Sequence, residues 1–461
     1  MLKVEQPRVQ PVYLQSKANE AIDLGTLPVD FCSNGNTFHA QAKVQMRFVP
    51  RRRLELTVGS DGISPEPDDI GFYLGSDNKV AIPVPSGDVE CLCVNTQYSS
   101  THESVFTLSP RSKVITITPT TNAISHAVFH IFNFPVFLGP DDYISCTGQP
   151  PVPSLKCCSR VYLIYDNWKI TIAAMENTAL CDKELETSGG YLITHVGKIE
   201  REDGSVFSSD QLVDILHCLH YFLSFALGRW AGVALPIGFN KNGEKVFEQW
   251  GLPMVAGDHW GGSLSWFDVQ HSQALKEVFP GFYTKWNDTL WQTPLKTVLY
   301  WYLAANERST GIGVDAGVIL AQTALECLAW NYCVEDHKMV SKSAFEQRGL
   351  SASGKIRLLA TALEIPVVMP STMTALTTNC NPKCKDIPDA ITFVRNSLVH
   401  PSRSASLLTA SYFEAWQAAE WLLEMSLLHL CGYNGEYANR LSLNRWEGVV
   451  ESVPWVKETL G

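Results

Sequence analysis

No apolar run in this 461-residue chain approaches the roughly 20 residues needed to span a bilayer, so no membrane helix is expected. Basic charge is also short: 36 lysines and arginines stand against 47 aspartates and glutamates, a formal net charge of −11. That balance argues against broad, non-specific nucleic-acid binding, which depends on cations neutralising phosphates, and leaves room only for a local RNA site. No secretory leader is read at the start, and the 13 cysteines fall at irregular spacings. They predict reduced thiols in a cytoplasmic protein rather than a disulfide framework. Cys380-Asn-Pro-Lys-Cys384 has a ligand-like spacing, yet no second pair or histidine cluster accompanies it, so neither a metal nor a cofactor is expected. What is present in ordinary measure is apolar content, 45%, with 18% charged residues, which describes a globular chain with room for two or three cores.

Residues 38–200 read as strands. In Ala40-Gln-Ala42-Lys-Val44-Gln-Met46-Arg-Phe48 apolar and polar residues alternate without a break, the signature of a half-buried strand. Similar runs follow at Leu54–Val58, Cys91–Val94, Val114–Thr118, Val128–Phe134, Val161–Tyr165, Trp168–Ala173 and Tyr191–Val196. Short strands punctuated by Gly, Pro, Asn, Asp and Ser predict an antiparallel sandwich-like domain, or a barrel, over residues 1–205. No Ser/His/Asp set, glycine-rich phosphate loop or pair of catalytic carboxylates can be placed in this half from its sequence. It is expected to be a sensor of a ligand or protein, or a restraint. His126 and His130 read as structural, and Arg51-Arg52-Arg53 as a solvated strand start rather than a phosphate patch.

Residues 206–290 read as a mixed α/β connector. Ser208-Ser209-Asp210 predicts an N-cap before the helical face Leu212, Ile215, Leu216, Leu219, Phe222 and Leu223, which ends near Gly228. Two strand-like runs, Val233–Phe239 and Lys245–Trp250, flank the turn Asn240-Lys-Asn-Gly243. The aromatic stretch Gly251–Trp266 reads as a packed loop. From Pro294 the period turns helical, with segments at Leu295–Asn306, Val314–Val334, Gly354–Leu363, Pro388–Val399 and Leu407–Leu430. These predict an up-and-down bundle over residues 291–461 and an α+β chain as a whole. The loop Pro366–Asp386 would shape or cover a site.

The bundle carries the chemistry. Ile391-Thr-Phe-Val-Arg395-Asn396-Ser-Leu-Val-His400-Pro401 reads as the end of an apolar helix stopped by proline. A five-residue step rotates about 140° on a regular helix, which would part Arg395 from His400. The residue before a proline is pushed out of helical conformation, however, so His400 is expected on a broken end that lets its imidazole swing toward the guanidinium. A guanidinium that forks onto phosphate oxygens and an imidazole that moves a proton near neutral pH suit phosphodiester chemistry. RNA brings its own nucleophile, the 2′-hydroxyl, so no metal is demanded. Glu326 sits in the apolar run Val318–Trp330, four residues after Gln322. A carboxylate there wants a cation, and the candidates are Arg395 and Arg357.

The Arg395-Asn396-x3-His400 pattern at a helix end resembles the HEPN superfamily of helical ribonucleases and nucleotide-binding domains, and residues from about 294 to 445 look closest to its ApeA-like branch. The resemblance implies a metal-independent endoribonuclease in prokaryotic antiviral defence or toxin–antitoxin control. It also implies a homodimer in which two motifs meet. Arg395 would stabilise the transition state, His400 would act as general acid or base, Asn396 would orient it, and Glu326 would hold Arg395. The alternative is a non-catalytic HEPN module that binds a nucleotide or a protein. If the β-rich half restrains a ribonuclease, a chain cut near Gln292 should be more toxic than the whole.

Overall fold

The computed structural model describes residues 9–33, 36–48, 53–58, 79–98, 104–110, 114–141, 143–147, 152–156, 159–176, 178–251, 264–307, 313–347, 349–380, 383–400, 409–443 and 445–456. Strands β1 (Ile22–Ser33), β2 (Asn36–Arg47), β3 (Arg53–Val58), β4 (Lys79–Ile82), β5 (Val89–Tyr98) and β6 (Ser104–Pro110) close an antiparallel barrel in the order β1-β2-β3-β6-β5-β4. The alternation in β2 does what it predicts: Ala40, Ala42, Val44 and Met46 fill the barrel interior. A closed barrel therefore stands where a sandwich-like domain was the first expectation; closure removes the sheet edges that a sandwich would leave. Of the arginine run only Arg53 is described, and it pairs with Glu55 at 2.9 Å; Arg51 and Arg52 lie outside the described residues.

The next strands are β7 (Val114–Thr116), β8 (His126–Phe132), the pair β9 (Tyr143–Thr147) and β10 (Val152–Lys156), β11 (Val161–Tyr165), β12 (Trp168–Ala174), β13 (Ile193–Arg201), β14 (Gly232–Phe239) and β15 (Lys245–Gly251). Apart from the β9–β10 pair they form one seven-stranded sheet, β11-β12-β13-β8-β14-β15-β7. The sheet runs across residue 205, drawing β14 and β15 from the connector. Among the described residues two helices belong to this half, α1 (Thr178–Ser188) and α2 (Ser209–Leu227). Helix α2 opens on a capping box between Ser208 and Gln211 and closes on Gly228 at φ 70°.

The remaining helices are α3 (Gln273–Asn287), α4 (Gln292–Asn306), α5 (Val314–Trp330, continued by a π turn to Asp336), α6 (Lys342–Glu346), α7 (Ala352–Ala362), α8 (Thr374–Cys380), α9 (Ile387–Val399) and α10 (Thr409–Leu430), with a small hairpin β16 (Glu436–Tyr437) and β17 (Glu451–Ser452). Among the described residues no helix is long and apolar enough to cross a membrane. One face of the large sheet, through Phe129, Ile131, Ile170 and Ile199, joins α2, α3 and the bundle in a single apolar core. Its other face, through Phe132, Ile193, Ala234, Ile237 and Trp250, joins the barrel interior. Phe279, Phe282 and Trp286 of α3 belong to the same core as α4, α5 and α10, and Gly281 lies so close to the Cys431 carbonyl that a Cβ would sit 1.8 Å from it. A chain cut near Gln292 would expose that face, so the truncation expected from the sequence to release activity removes part of the bundle's own core instead.

Three histidines are held in the neutral form, His130 and His195 fully buried and His220 half-buried. His130 Nε2 accepts the backbone N–H groups of Val12 and Tyr13 at 3.2 and 3.0 Å, while its Nδ1 faces the Leu235 carbonyl at 3.2 Å. His220 Nδ1 faces the Ala231 carbonyl at 2.7 Å, and His195 stacks on Phe137 at 5.6 Å. Burial pushes their pKa values down to about 4 for His130 and His220 and about 3 for His195. A folded-state pKa below the unfolded 6.5 means that the stability is fully present above pH 6.5 and is lost as pH falls through about 4. Each group contributes a slope of up to about 1.4 kcal/mol per pH unit in that window. Denaturant unfolding from pH 7 to 4 should show a steep decline that His130→Asn makes shallower; a flat profile would mean that these imidazoles titrate normally.

Candidate functional site

Helix α9 is fixed at its start. Asp386 caps it, accepting the Asp389 N–H at 3.0 Å, and Arg357 grips both carboxylates, with Nη2 2.9 Å from Asp386 Oδ1 and 2.8 Å from Asp389 Oδ1. Ile387, Ala390, Ile391 and Val394 bury the inner face against α5, α7 and α10. The helix stops at His400, whose backbone is extended at φ −118° and ψ 102° while its N–H still reaches the Asn396 carbonyl at 3.1 Å. The pre-proline break expected at this residue is present.

Arg395 and Asn396 are half-buried and His400 is exposed. Arg395 Nη1 donates to Asn396 Oδ1 at 3.3 Å, and among the described residues it has no carboxylate within ion-pair distance. This sets it apart from Arg357 and from Arg440, both of which are held by carboxylates. Glu326 does not hold Arg395 as expected: it accepts from Gln322 Nε2 at 2.9 Å, the partner four residues back on α5. Arg357, the other candidate, is taken by Asp386 and Asp389. A half-exposed carboxylate with an amide partner no longer demands a cation. Glu326→Gln should leave the protein within about 0.5 kcal/mol of the parent's stability, as its melting temperature would show, because the amide keeps a carbonyl for Gln322. A larger loss would restore a charge-based role for Glu326.

The loop Pro366–Asp386 contains α8, and its thiols Cys380 and Cys384 share a hydrogen bond. Among the described residues no three His, Cys, Asp or Glu side chains are grouped to hold a metal.

Sequence reasoning missed a fully buried cluster of charged side chains, Arg440, Glu420 and Glu424. Arg440, in the segment after α10, is fully buried and donates to both oxygens of Glu424, from Nη2 at 2.6 Å and from Nε at 3.1 Å. Its Nη2 also reaches the Leu264 carbonyl at 2.8 Å and its Nη1 reaches Asn306 Oδ1 at 3.3 Å; Tyr302 donates to Glu424 at 2.8 Å. Asn306 in turn donates to the Gly228 carbonyl that closes α2, at 2.7 Å. The cluster thus ties the sheet half to the bundle. Glu420, one turn before Glu424, is buried with neither carboxyl oxygen hydrogen-bonded, and burial pushes its pKa well up. The signal open to sequence reasoning was Glu420 and Glu424 four apart in the apolar run Ala418–Leu428, the same argument that singled out Glu326.

Two family models match: residues 288–452 match one described as the YopA C-terminal domain, and residues 119–261 match one described as the YopA central domain. The first spans the bundle and the second most of the large sheet, without the barrel. The chain is also 32% identical over 305 residues to the SPbeta prophage-derived uncharacterized protein YopA of Bacillus subtilis (strain 168), covering 65% of this chain and 67% of that protein. No solved structure matches.

Proposed function

The chain belongs to the YopA family, and we propose, from the geometry of its helix-end motif, that it is a metal-independent endoribonuclease acting at Arg395, Asn396 and His400. The observation that carries the reading is the state of Arg395: a half-buried guanidinium at a helix end with no carboxylate partner among the described residues, left able to take phosphate oxygens. His400, released from the helix by its extended backbone and exposed, is free to approach a 2′-hydroxyl or a leaving oxygen. Asn396 bridges them, its side chain on Arg395 and its carbonyl on the His400 N–H. In this reading the bundle is of HEPN type, two copies join so that their motifs share a cleft, and the enzyme works on cytoplasmic RNA. The prophage origin in the relative's name supports a setting in antiviral defence or toxin–antitoxin control. Arg395 would neutralise the charge that develops on phosphorus-bound oxygen, and His400 would carry the proton.

A second reading, a non-catalytic HEPN module that binds a nucleotide or a protein, is favoured by one observation: among the described residues no carboxylate orients His400. The test is purified full-length protein incubated with total RNA in EDTA, beside the Arg395→Ala/His400→Ala variant. Cleavage leaving 2′,3′-cyclic phosphate ends in the parent only is the expected result. RNA left intact by a folded dimer would overturn the catalytic reading in favour of the binding module.

A further inference from the structure

The barrel does not cover the whole of its face of the large sheet. Beyond it, at the end formed by β11, β12, β13, β8 and β14, lies an open cleft of about 460 Å³. Its rim is the segment Val9–Val12, which crosses the sheet and is pinned by the buried His130 through the Val12 and Tyr13 N–H groups. Four laterally paired residues on adjacent strands make its floor: Lys169, Glu200, His126 and Phe239. At about 4.8 Å per strand this row is about 14 Å long.

The chemistry along the row is ordered. Glu200 is held from two sides, by Lys198 Nζ at 2.6 Å and Lys169 Nζ at 3.4 Å, so two cations converge on one carboxylate in a chain of net charge −11. At one end the Lys169 ammonium lies 5.9 Å from the Tyr162 ring; at the other the His126 and Phe239 rings stack at 5.2 Å. A pair of lysines beside a flat aromatic platform is a site for a molecule with an anion at one end and a ring at the other. The volume falls within the about 300–1,000 Å³ usual for small-molecule sites.

We propose that this cleft binds a small phosphorylated aromatic molecule of mononucleotide size. Its phosphate lies between Lys169 and Lys198, and its ring lies along His126 and Phe239 under the Val9–Val12 rim. Glu200 is the internal competitor: it occupies the lysines while the cleft is empty and yields them to the phosphate. The inference does not depend on RNA cleavage, although it supplies a ligand for a half that carries no catalytic set.

The test is calorimetric titration of full-length Arg395→Ala/His400→Ala protein, a background that silences the proposed site on α9, with 5′-AMP, adenosine and inorganic phosphate in turn. 5′-AMP should bind with a Kd below about 1 mM, and adenosine and phosphate at least about ten-fold more weakly. Lys169→Ala/Lys198→Ala should weaken 5′-AMP about ten-fold or more. Glu200→Gln should tighten it, an outcome that a merely structural Glu200 would not give. Equal binding of adenosine overturns the phosphate role, and equal binding of phosphate overturns the ring role. No heat with 5′-AMP at millimolar concentration, or a lysine variant that folds and binds like the parent, overturns the site.

Discussion

His400→Ala is expected to lower RNA cleavage by about 10²- to 10⁴-fold, the usual contribution of a positioned proton-transfer group. It should do so without loss of stability. The imidazole is exposed, and alanine keeps both the following proline, which stops the helix, and the backbone N–H on the Asn396 carbonyl. Surface substitutions of this kind stay within about 0.5 kcal/mol. Arg395→Ala should cost at least as much activity, and Arg395→Lys should rescue little of it, because an ammonium cannot fork onto two phosphate oxygens. Asn396→Ala should lie between the parent and these, since Asn396 orients rather than reacts. Initial rates beside melting temperatures separate the cases. If His400→Ala loses activity only in step with its melting temperature, or not at all, His400 is not the proton carrier. A protein that sediments as a monomer at micromolar concentration and still cuts RNA would rule out a shared cleft between two copies.

The motif was legible because it rests on local rules: a proline stop and the conformation that the proline imposes one residue earlier. The same holds for β2, whose alternation is unbroken, and for α2, whose cap and glycine stop are both written in the chain. Strand β1 was not legible. The register shifts between Asp23 and Gly25, with Gly25 at φ 99°, so the buried positions change phase from Ile22 and Leu24 to Val29 and Phe31. An alternation that slips by one residue reads as no alternation. Helix α3 was hidden by Pro280-Gly281, which signal a break in an isolated segment; here Gly281 is demanded by the Cys431 carbonyl that passes against it. At the candidate site, the residues on α9 itself were readable and the partner of Glu326 was not. Choosing between Arg395, Arg357 and Gln322 requires the packing of α5 against α7 and α9, and an amide one turn away was enough. The Arg440 cluster was invisible for a related reason: its cation comes from an irregular segment 16 residues beyond Glu424, and no periodicity announces it.

That cluster yields the largest expected loss of stability. Arg440→Met removes the cation that faces two buried carboxyl groups, Glu420 and Glu424, and takes one donor each from Asn306 Oδ1 and the Leu264 carbonyl. Breaking a buried pair from one side costs about 3–5 kcal/mol, far more than the pair contributes over an apolar replacement. Since Asn306 also holds Gly228, the loss should take the form of one cooperative transition for sheet and bundle rather than fraying of the C-terminal segment. Glu420→Gln should do the reverse. Burial without a hydrogen bond, helped by the neighbouring Glu424, outweighs the Arg440 guanidinium 3.9 Å away, so the fold favours the protonated form of the Glu420 carboxyl group and the pKa is raised. A raised folded-state pKa means that the acid's stability is fully present below the ordinary carboxylate range, near 4.5, and is lost as pH rises toward the folded value. Glutamine carries no such cost. The melting temperature of Glu420→Gln should therefore exceed that of the parent at about pH 7 and 8, and the gap should close near the ordinary carboxylate value of 4.5. A gap that does not change with pH, or a glutamine variant less stable than the parent in mild alkali, would show instead that Glu420 is ionised and shares Arg440 with Glu424.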